Sequence, residues 1–317
     1  MQVISLSRKS ALVALVLLIV ILCVTAVRAY VAPFGAELAS SDYFDSVPKL
    51  VLAMFVFLCG GFVEGKMLPR SGLNKNYCTL PIPIYGLLSC GILFSPDVLS
   101  GAAASLCFAL AIYLLMRSLH SAGEKDSVFF AALLLGAMVL LYPPCVVLAL
   151  IIPLSVILLT LSLRQVLLMV VGYLLPLVAA SYVVWYGGDD MLQFSRNLLS
   201  ALATERMGAV AEVPYLAIAM AASVVAVAVL GGVYAAVSRD KRFLAVRVRH
   251  SFYLFVLVSL LTLLMLFIPS CDITVLAIIA VPTTILLSFA LDAMPNNQST
   301  IAYWVLLALF AMHLFVA

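Results

Sequence analysis

Long apolar runs, recurring from one end of the chain to the other, set the terms for any fold it can adopt. The first, ALVALVLLIVILCVTAV from Ala11 to Val27, carries no Asp, Glu, Lys or Arg. Crossing a hydrocarbon core takes about 20 mostly apolar residues. In lipid the backbone has no water to bond, so such segments must be helices that pair their own N–H and C=O groups. Composition removes the soluble alternative. Hydrophobic residues make up 66% of the chain and charged residues 10%, where soluble domains carry about 25% charge. That is too little charge to wet an exterior. A soluble enzyme, a disordered chain and a nucleic-acid binder all fit poorly, the last because a net charge of +3 is too small for a polyanion partner.

The sequence predicts an all-α, polytopic transmembrane bundle, a single domain over residues 1–317. Candidate spans run from Ala11 to Tyr30, Leu50 to Val63, Leu80 to Phe94, Leu99 to Met116, Val128 to Tyr142 and Cys145 to Leu163. They continue from Val166 to Tyr186, Val213 to Val237, Ser251 to Ile268, Ile273 to Leu291 and Thr300 to Ala317. These are about 11 spans, with the second, third and fifth short. Arg8 and Lys9 before the first run give it the charge order of a signal peptide. Its length, and Arg28 where a cleavage site wants small residues, favour an uncleaved first span.

Charge distribution sets an orientation. With the N-terminus cytoplasmic and the C-terminus periplasmic, thirteen Lys and Arg fall inside, and only Arg28, Lys49, Arg196 and Arg206 outside. That is the bias of the positive-inside rule. Most acidic residues go the other way: Glu37, Asp42, Asp45, Asp97, Asp189, Asp190, Glu205, Glu212 and Asp272 all lie outside. Tyr142-Pro143-Pro144, Ser95-Pro96-Asp97 and Pro269-Ser270 read as proline stops between antiparallel neighbours.

Three connections have room for structure: the outer loop 31–48, the basic inner segment from Glu64 to Thr79, and the outer loop 187–212. In the last, Asp190 and Gln193 have capping-box spacing. Met191, Phe194, Leu198 and Leu202 recur at helical spacing opposite Gln193, Arg196, Asn197, Ser200 and Thr204. The pattern predicts an amphipathic helix from about Asp190 to Thr204, either lying in the interface or covering the end of the bundle.

Phosphate-loop, dinucleotide, zinc-protease and nucleophile-elbow motifs are all missing from the sequence. The seven cysteines form no C-x-x-C pair, and no metal-ligand set is predicted. Cys145 and Cys271 stand out by lying beside the turns YPPC and PSCD, and are the pair that a disulfide would join. With Glu64 assigned to a loop, the span interiors hold essentially no Asp, Glu, Lys or Arg. His313 stands alone in the last span. Coupled transport is therefore disfavoured, because ion-coupled carriers keep ionisable groups at membrane depth. The outer face carries the chemistry instead. Asp42 and Asp45, three apart, are the candidate catalytic residues, able to act as general base or to hold a divalent cation. Arg196 and Arg206 are the candidate phosphate ligands. The competing reading is of ordinary solvated loops whose acidity follows from topology.

The stretch FFAALLLGAMVLLYPPCVVLALIIPLSVILLTLSLRQVLLMVVGYLLPLVAASYVVWYGG within Ser127 to Gly188 resembles an uncharacterised family of polytopic inner-membrane proteins from Bacteroidota. The likeness extends back through LNKNYCTLPIPIYGLLSCGILF and the Arg117 loop, covering about two-thirds of the chain. The same block is similar to the central helices of GT-C-type glycosyltransferases, which use polyprenol-phosphate sugars. That resemblance implies a cytoplasmic N-terminus and a catalytic acid in the first outer loop, where Asp42 or Asp45 is the counterpart by position. The first outer loop is shorter than that class carries, and no soluble domain follows the last span.

Three functions compete. One is envelope biogenesis on a GT-C-like scaffold, with membrane lipid and a polyprenyl-linked substrate as partners. Another is a non-catalytic scaffold or partner subunit. The third is an uncoupled lipid or small-molecule transporter.

Overall fold

The computed structural model describes residues 11–31, 42–71, 73, 79–89, 98–120, 126–159, 162–203, 222–231, 233, 246–268, 270–272, 274–294 and 296–316. Among the described residues every regular element is helical and no strand occurs. In chain order the helices are α1 (Ala11–Val31), α2 (Asp42–Arg70), α3 (Pro81–Ser89), α4 (Val98–His120) and α5 (Asp126–Leu141). A 3-10 segment, Pro143–Leu150, leads into α6 (Ile151–Leu159). Then come α7 (Leu163–Tyr186), α8 (Gln193–Ala203), α9 (Ala222–Gly231), α10 (Val246–Leu264), α11 (Val275–Ala293) and α12 (Asn296–Val316).

Five helices are long and apolar enough to cross a membrane: Pro48–Pro69, Val98–Ser118, Leu163–Tyr186, Val248–Phe267 and Val275–Asp292. Ala11–Val27, Asp126–Leu141, Pro143–Leu158 and Ala222–Gly231 are apolar but shorter. The chain is thus a helical protein built for a membrane. Helix α11 shows where the bundle's centre lies. Its sequence VLAIIAVPTTILLSFALDA is apolar on every side, as expected of a helix with protein all round it. It is 94% buried over its apolar window, packed against α2, α3, α4, α10 and α12. Helix α7 is the opposite case at 17%. Its Leu167, Val171, Leu174, Leu175 and Val178 all point outward, where lipid is the solvent they fit.

Residue chemistry explains the ends of α7. At its start the Gln165 amide oxygen accepts the Ser162 N–H at 2.9 Å and the Ser162 hydroxyl at 3.0 Å, satisfying a donor that the helix leaves orphaned. At its end Tyr182, Trp185 and Tyr186 are exposed, and aromatic residues of this kind gather at membrane–water boundaries. Gly188 follows at φ +98°, a left-handed turn open to glycine because no Cβ clashes.

The structure departs from the sequence expectations in three places. Helix α2 does not stop at Val63. It continues through Glu64-Gly65-Lys66 to Arg70, and Met67 and Leu68 are fully buried. A charge ends a hydropathy window but not a helix, since Glu and Lys are good helix formers. The same helix begins at Asp42, so the end of segment 31–48 is helical. Second, the expected span from Cys145 begins inside a 3-10 segment, Pro143–Leu150, with the two prolines at its first positions. Third, Asp190 does not form a capping box with Gln193. Its carboxylate accepts the Leu192 N–H at 3.3 Å, and Gln193 N–H donates to the Asp190 carbonyl at 2.8 Å. Helix α8 therefore starts at Gln193, packed against α7 and the 3-10 segment.

Candidate functional site

The residues that the sequence reading singled out fall into two groups. Asp42 and Asp45 occupy the first turn of α2, ahead of Pro48 where its apolar window begins. Positions three apart in a helix share a face. Arg196 stands on α8, where its guanidinium meets the Asp190 carboxylate at 3.5 Å with side chains 65% and 54% exposed. Such an exposed pair holds by no more than about 1 kcal/mol, so a phosphate can displace it. Helix α2 packs on α1, α3, α4 and α11, whereas α8 packs on α7 and the 3-10 segment. Arg206, Asp97, Glu205, Glu212, Ser40 and Ser41 lie outside the described residues. Among the described residues no cluster of three or more His, Cys, Asp or Glu could hold a metal ion.

A second polar site lies inside the bundle, where the sequence reading placed none. Glu64 is fully buried, and neither carboxylate oxygen has a hydrogen-bond partner. The assumption that the spans are free of acidic groups is therefore corrected, and with it the argument against ion coupling. Three glycines make the burial possible. A Cβ on Gly60 would lie 2.8 Å from the Tyr85 hydroxyl, one on Gly65 2.8 Å from Ile82, and one on Gly61 2.6 Å from Leu18. Small residues at this spacing let helix backbones approach closely in lipid. Here they seat α2 against α3 and α1, sealing Glu64 from lipid.

Tyr85 is fully buried and faces the same seam. Its hydroxyl lies 3.0 Å from the Ser105 hydroxyl on α4, and Ser105 Oγ donates to the Ala102 carbonyl at 2.8 Å. Serine has one proton to give. With that proton committed to Ala102, Tyr85 must donate to Ser105, leaving a phenolic lone pair free to accept. Gly60, Gly61 and Gly65 around Glu64, with Met67 and Leu68 beyond, were the signal in the sequence. The glycines mark close packing, and the renewed apolar residues show that the helix continues.

The two proline turns flagged by their cysteines also meet. The Asp272 N–H donates to the Tyr142 hydroxyl at 2.7 Å, across 130 residues of chain. Cys145 and Cys271 are both buried and both free thiols. Burial pushes the Cys271 thiol up to about 12, so it is protonated and unreactive at neutral pH. Tyr142 is a structural clasp between these turns, and the cysteines fill space around it.

A family profile matches residues 2–317, described as "Family of unknown function (DUF6427)". The chain belongs to the DUF6427 family. No curated protein and no solved structure matches it. This DUF6427 chain thus carries two polar sites, one at the start of α2 and on α8, the other around Glu64.

Proposed function

We propose that this chain is a multi-pass protein of the bacterial inner membrane that engages a lipid-linked, phosphate-bearing substrate at its outer face. In this reading it crosses eleven times, with a cytoplasmic N-terminus and a periplasmic C-terminus. That topology puts Asp42, Asp45, Asp190, Arg196 and Arg206 on one side. The observation that carries the reading is where the apolar stretches end. The apolar window of α2 begins just after Asp42 and Asp45, and the aromatic end of α7 at Tyr182, Trp185 and Tyr186 is followed at once by Asp190 and Arg196. In this reading the acids and the guanidinium stand at the depth of a lipid's phosphate. Guanidinium geometry matches phosphate oxygens in pairs, which gives Arg196 and Arg206 the binding role. Asp42 and Asp45 take the general-base role, or hold a divalent cation whose other oxygens come from the substrate phosphate and water.

The resemblances to Bacteroidota inner-membrane proteins and to GT-C-type glycosyltransferases support an envelope-biogenesis setting with a polyprenyl-linked sugar as substrate. Two measurements test the proposal. Native mass spectrometry of the purified protein should show a co-purified polyprenyl lipid. Replacing both Asp42 and Asp45 with Asn should abolish function in a deletion strain at unchanged protein abundance. Full complementation by the double variant would end the catalytic reading and leave a non-catalytic scaffold in its place.

A further inference from the structure

We propose that Glu64 is a proton-binding site within the membrane domain, with Tyr85 as the acceptor of its proton's hydrogen bond. The inference goes beyond the outer-face reading and does not depend on it.

It starts from an unmet requirement. A carboxylate removed from water must find a partner, because an isolated buried charge is among the costliest groups in a fold. Within a membrane, such residues pair with one another or with backbone carbonyls, or serve a pathway. Glu64 is fully buried, and both its oxygens lack a hydrogen-bond partner. The nearest cation on its own helix is turned away: Lys66 is exposed, its ammonium 4.3 Å over the Phe62 ring. On the packed neighbours the titratable and charged groups are Cys23 on α1, Tyr85 on α3, Cys107, Tyr113 and Arg117 on α4, and Asp292 on α11. Arg28 and Tyr30 close α1, His120 closes α4, and Arg70 closes α2 itself. Arg117 and Asp292 have interactions of their own. Tyr85 is within electrostatic reach of Glu64.

The neighbouring chemistry selects the ligand. A divalent cation takes six or more oxygens, and one carboxyl beside one phenol supplies too few. A proton needs a single oxygen. Once protonated, the carboxyl becomes a donor, and the lone pair left on Tyr85 by its bond to Ser105 is an acceptor. No hydrogen bond joins Glu64 to Tyr85 in the structure as it stands; a protonated carboxyl turned toward that lone pair would complete a chain from Glu64 through Tyr85 and Ser105 to the Ala102 carbonyl. Gly60, one turn before Glu64, is what lets Tyr85 lie flat against α2.

A consequence follows for pH. The sealed seam holds the proton, while a seam opened to water lets Glu64 release it and ionise. By linkage, the state that binds the proton more tightly is favoured at low pH and gives way as pH rises. Opening between α2 and α3 is therefore coupled to proton release.

The test uses the full-length protein in lipid nanodiscs, treated with the apolar reagent dicyclohexylcarbodiimide, which reacts with protonated carboxyls in apolar surroundings. Peptide mass spectrometry locates the adduct, so the wild-type protein alone decides the matter. The expected result is an adduct on Glu64 at neutral pH that is lost at alkaline pH, absent from Glu64→Gln, and undiminished by sodium. A water-soluble carbodiimide should leave Glu64 unmodified. Absence of an adduct on Glu64 across the pH range would overturn the proposal. Protection by sodium would overturn it too, by showing a metal cation in place of the proton.

Discussion

The seam between α5 and α7 and the seam between α2 and α3 are both made with glycine, yet they are built differently. In the first, backbone meets backbone. A Cβ on Gly136 would lie 2.2 Å from the Tyr173 carbonyl oxygen, and one on Gly172 2.7 Å from that of Phe129. Each helix gives a glycine to the other's main chain, and nothing in that contact can rotate away. In the second, the glycines of α2 meet side chains: the tip of Tyr85, Ile82 and Leu18. Side chains have other rotamers, so this contact can loosen without moving a helix axis. The rigid seam contains no acidic residue, and the yielding one encloses Glu64. A membrane protein that needs to wet a buried carboxyl would place it where packing can give.

The largest effect should come from the rigid seam. Gly136→Ala puts a methyl into the Tyr173 carbonyl, and only a backbone shift relieves it. Overpacking of this kind costs about 3 kcal/mol or more. Thermal unfolding in detergent micelles should show a large drop in midpoint, or the variant should fail to accumulate. A variant as stable as the parent would mean that the α5–α7 seam is as pliable as the other, and the comparison would collapse.

Tyr85→Phe comes next. It removes the hydroxyl shared with Ser105 while keeping the ring against Gly60 and its 6.2 Å contact with Phe57. The lost hydrogen bond is worth about 1 kcal/mol, since Ser105 keeps its bond to Ala102. The more telling readout is pH. Without the phenolic acceptor the protonated Glu64 loses its partner, so carbodiimide labelling should fade at lower pH than in the parent. An unmoved profile would show that Tyr85 only fills space.

Gly65→Ala should be milder again. Its new methyl meets the end of the Ile82 side chain at 2.8 Å, which can turn aside, and alanine is the better helix former by about 1 kcal/mol. The two effects offset, so the unfolding midpoint should change by less than that of Tyr85→Phe. A drop comparable with Gly136→Ala would show that the α2–α3 seam is not the yielding one.

These contrasts also mark how far the sequence could be read. The helical membrane class followed from run length and the scarcity of charge. The C-terminal end of α7 was legible at Tyr186, where Gly187 and Gly188 follow an aromatic cluster. Glu64 was misplaced because a hydropathy window treats a carboxylate as the end of a span wherever it falls. Whether a charge faces lipid, water or protein depends on the helices around it, and that is a long-range property. The Tyr142–Asp272 bond is a second case. Each proline turn was visible alone, while their meeting across 130 residues depends on how α5 and α10 are brought together. Asp42, Asp45 and Arg196 were nominated by residue type, but their arrangement rests on the helices that carry them.

The smallest stability effect, and the one that sharpens the contrast most, belongs to Asp190. Its carboxylate and that of Glu64 are chemically alike, but one is 54% exposed with Arg196 at 3.5 Å and the other is sealed without a partner. Water already solvates Asp190, so losing its charge removes only a screened contact of about 0.5 kcal/mol or less. Asp190→Asn should melt with the parent within error. Its effect should appear in binding instead, because the exchange removes the carboxylate that Arg196 meets among the described residues. If Arg196 is the phosphate ligand, Asp190→Asn should bind vesicles containing an anionic phospholipid more tightly than the parent does, and the gain should vanish in the double variant with Arg196→Gln. A gain that persists without Arg196 would assign the phosphate to another group. No gain at all would take Arg196 out of the outer-face site, leaving Asp42 and Asp45 to be judged on complementation alone.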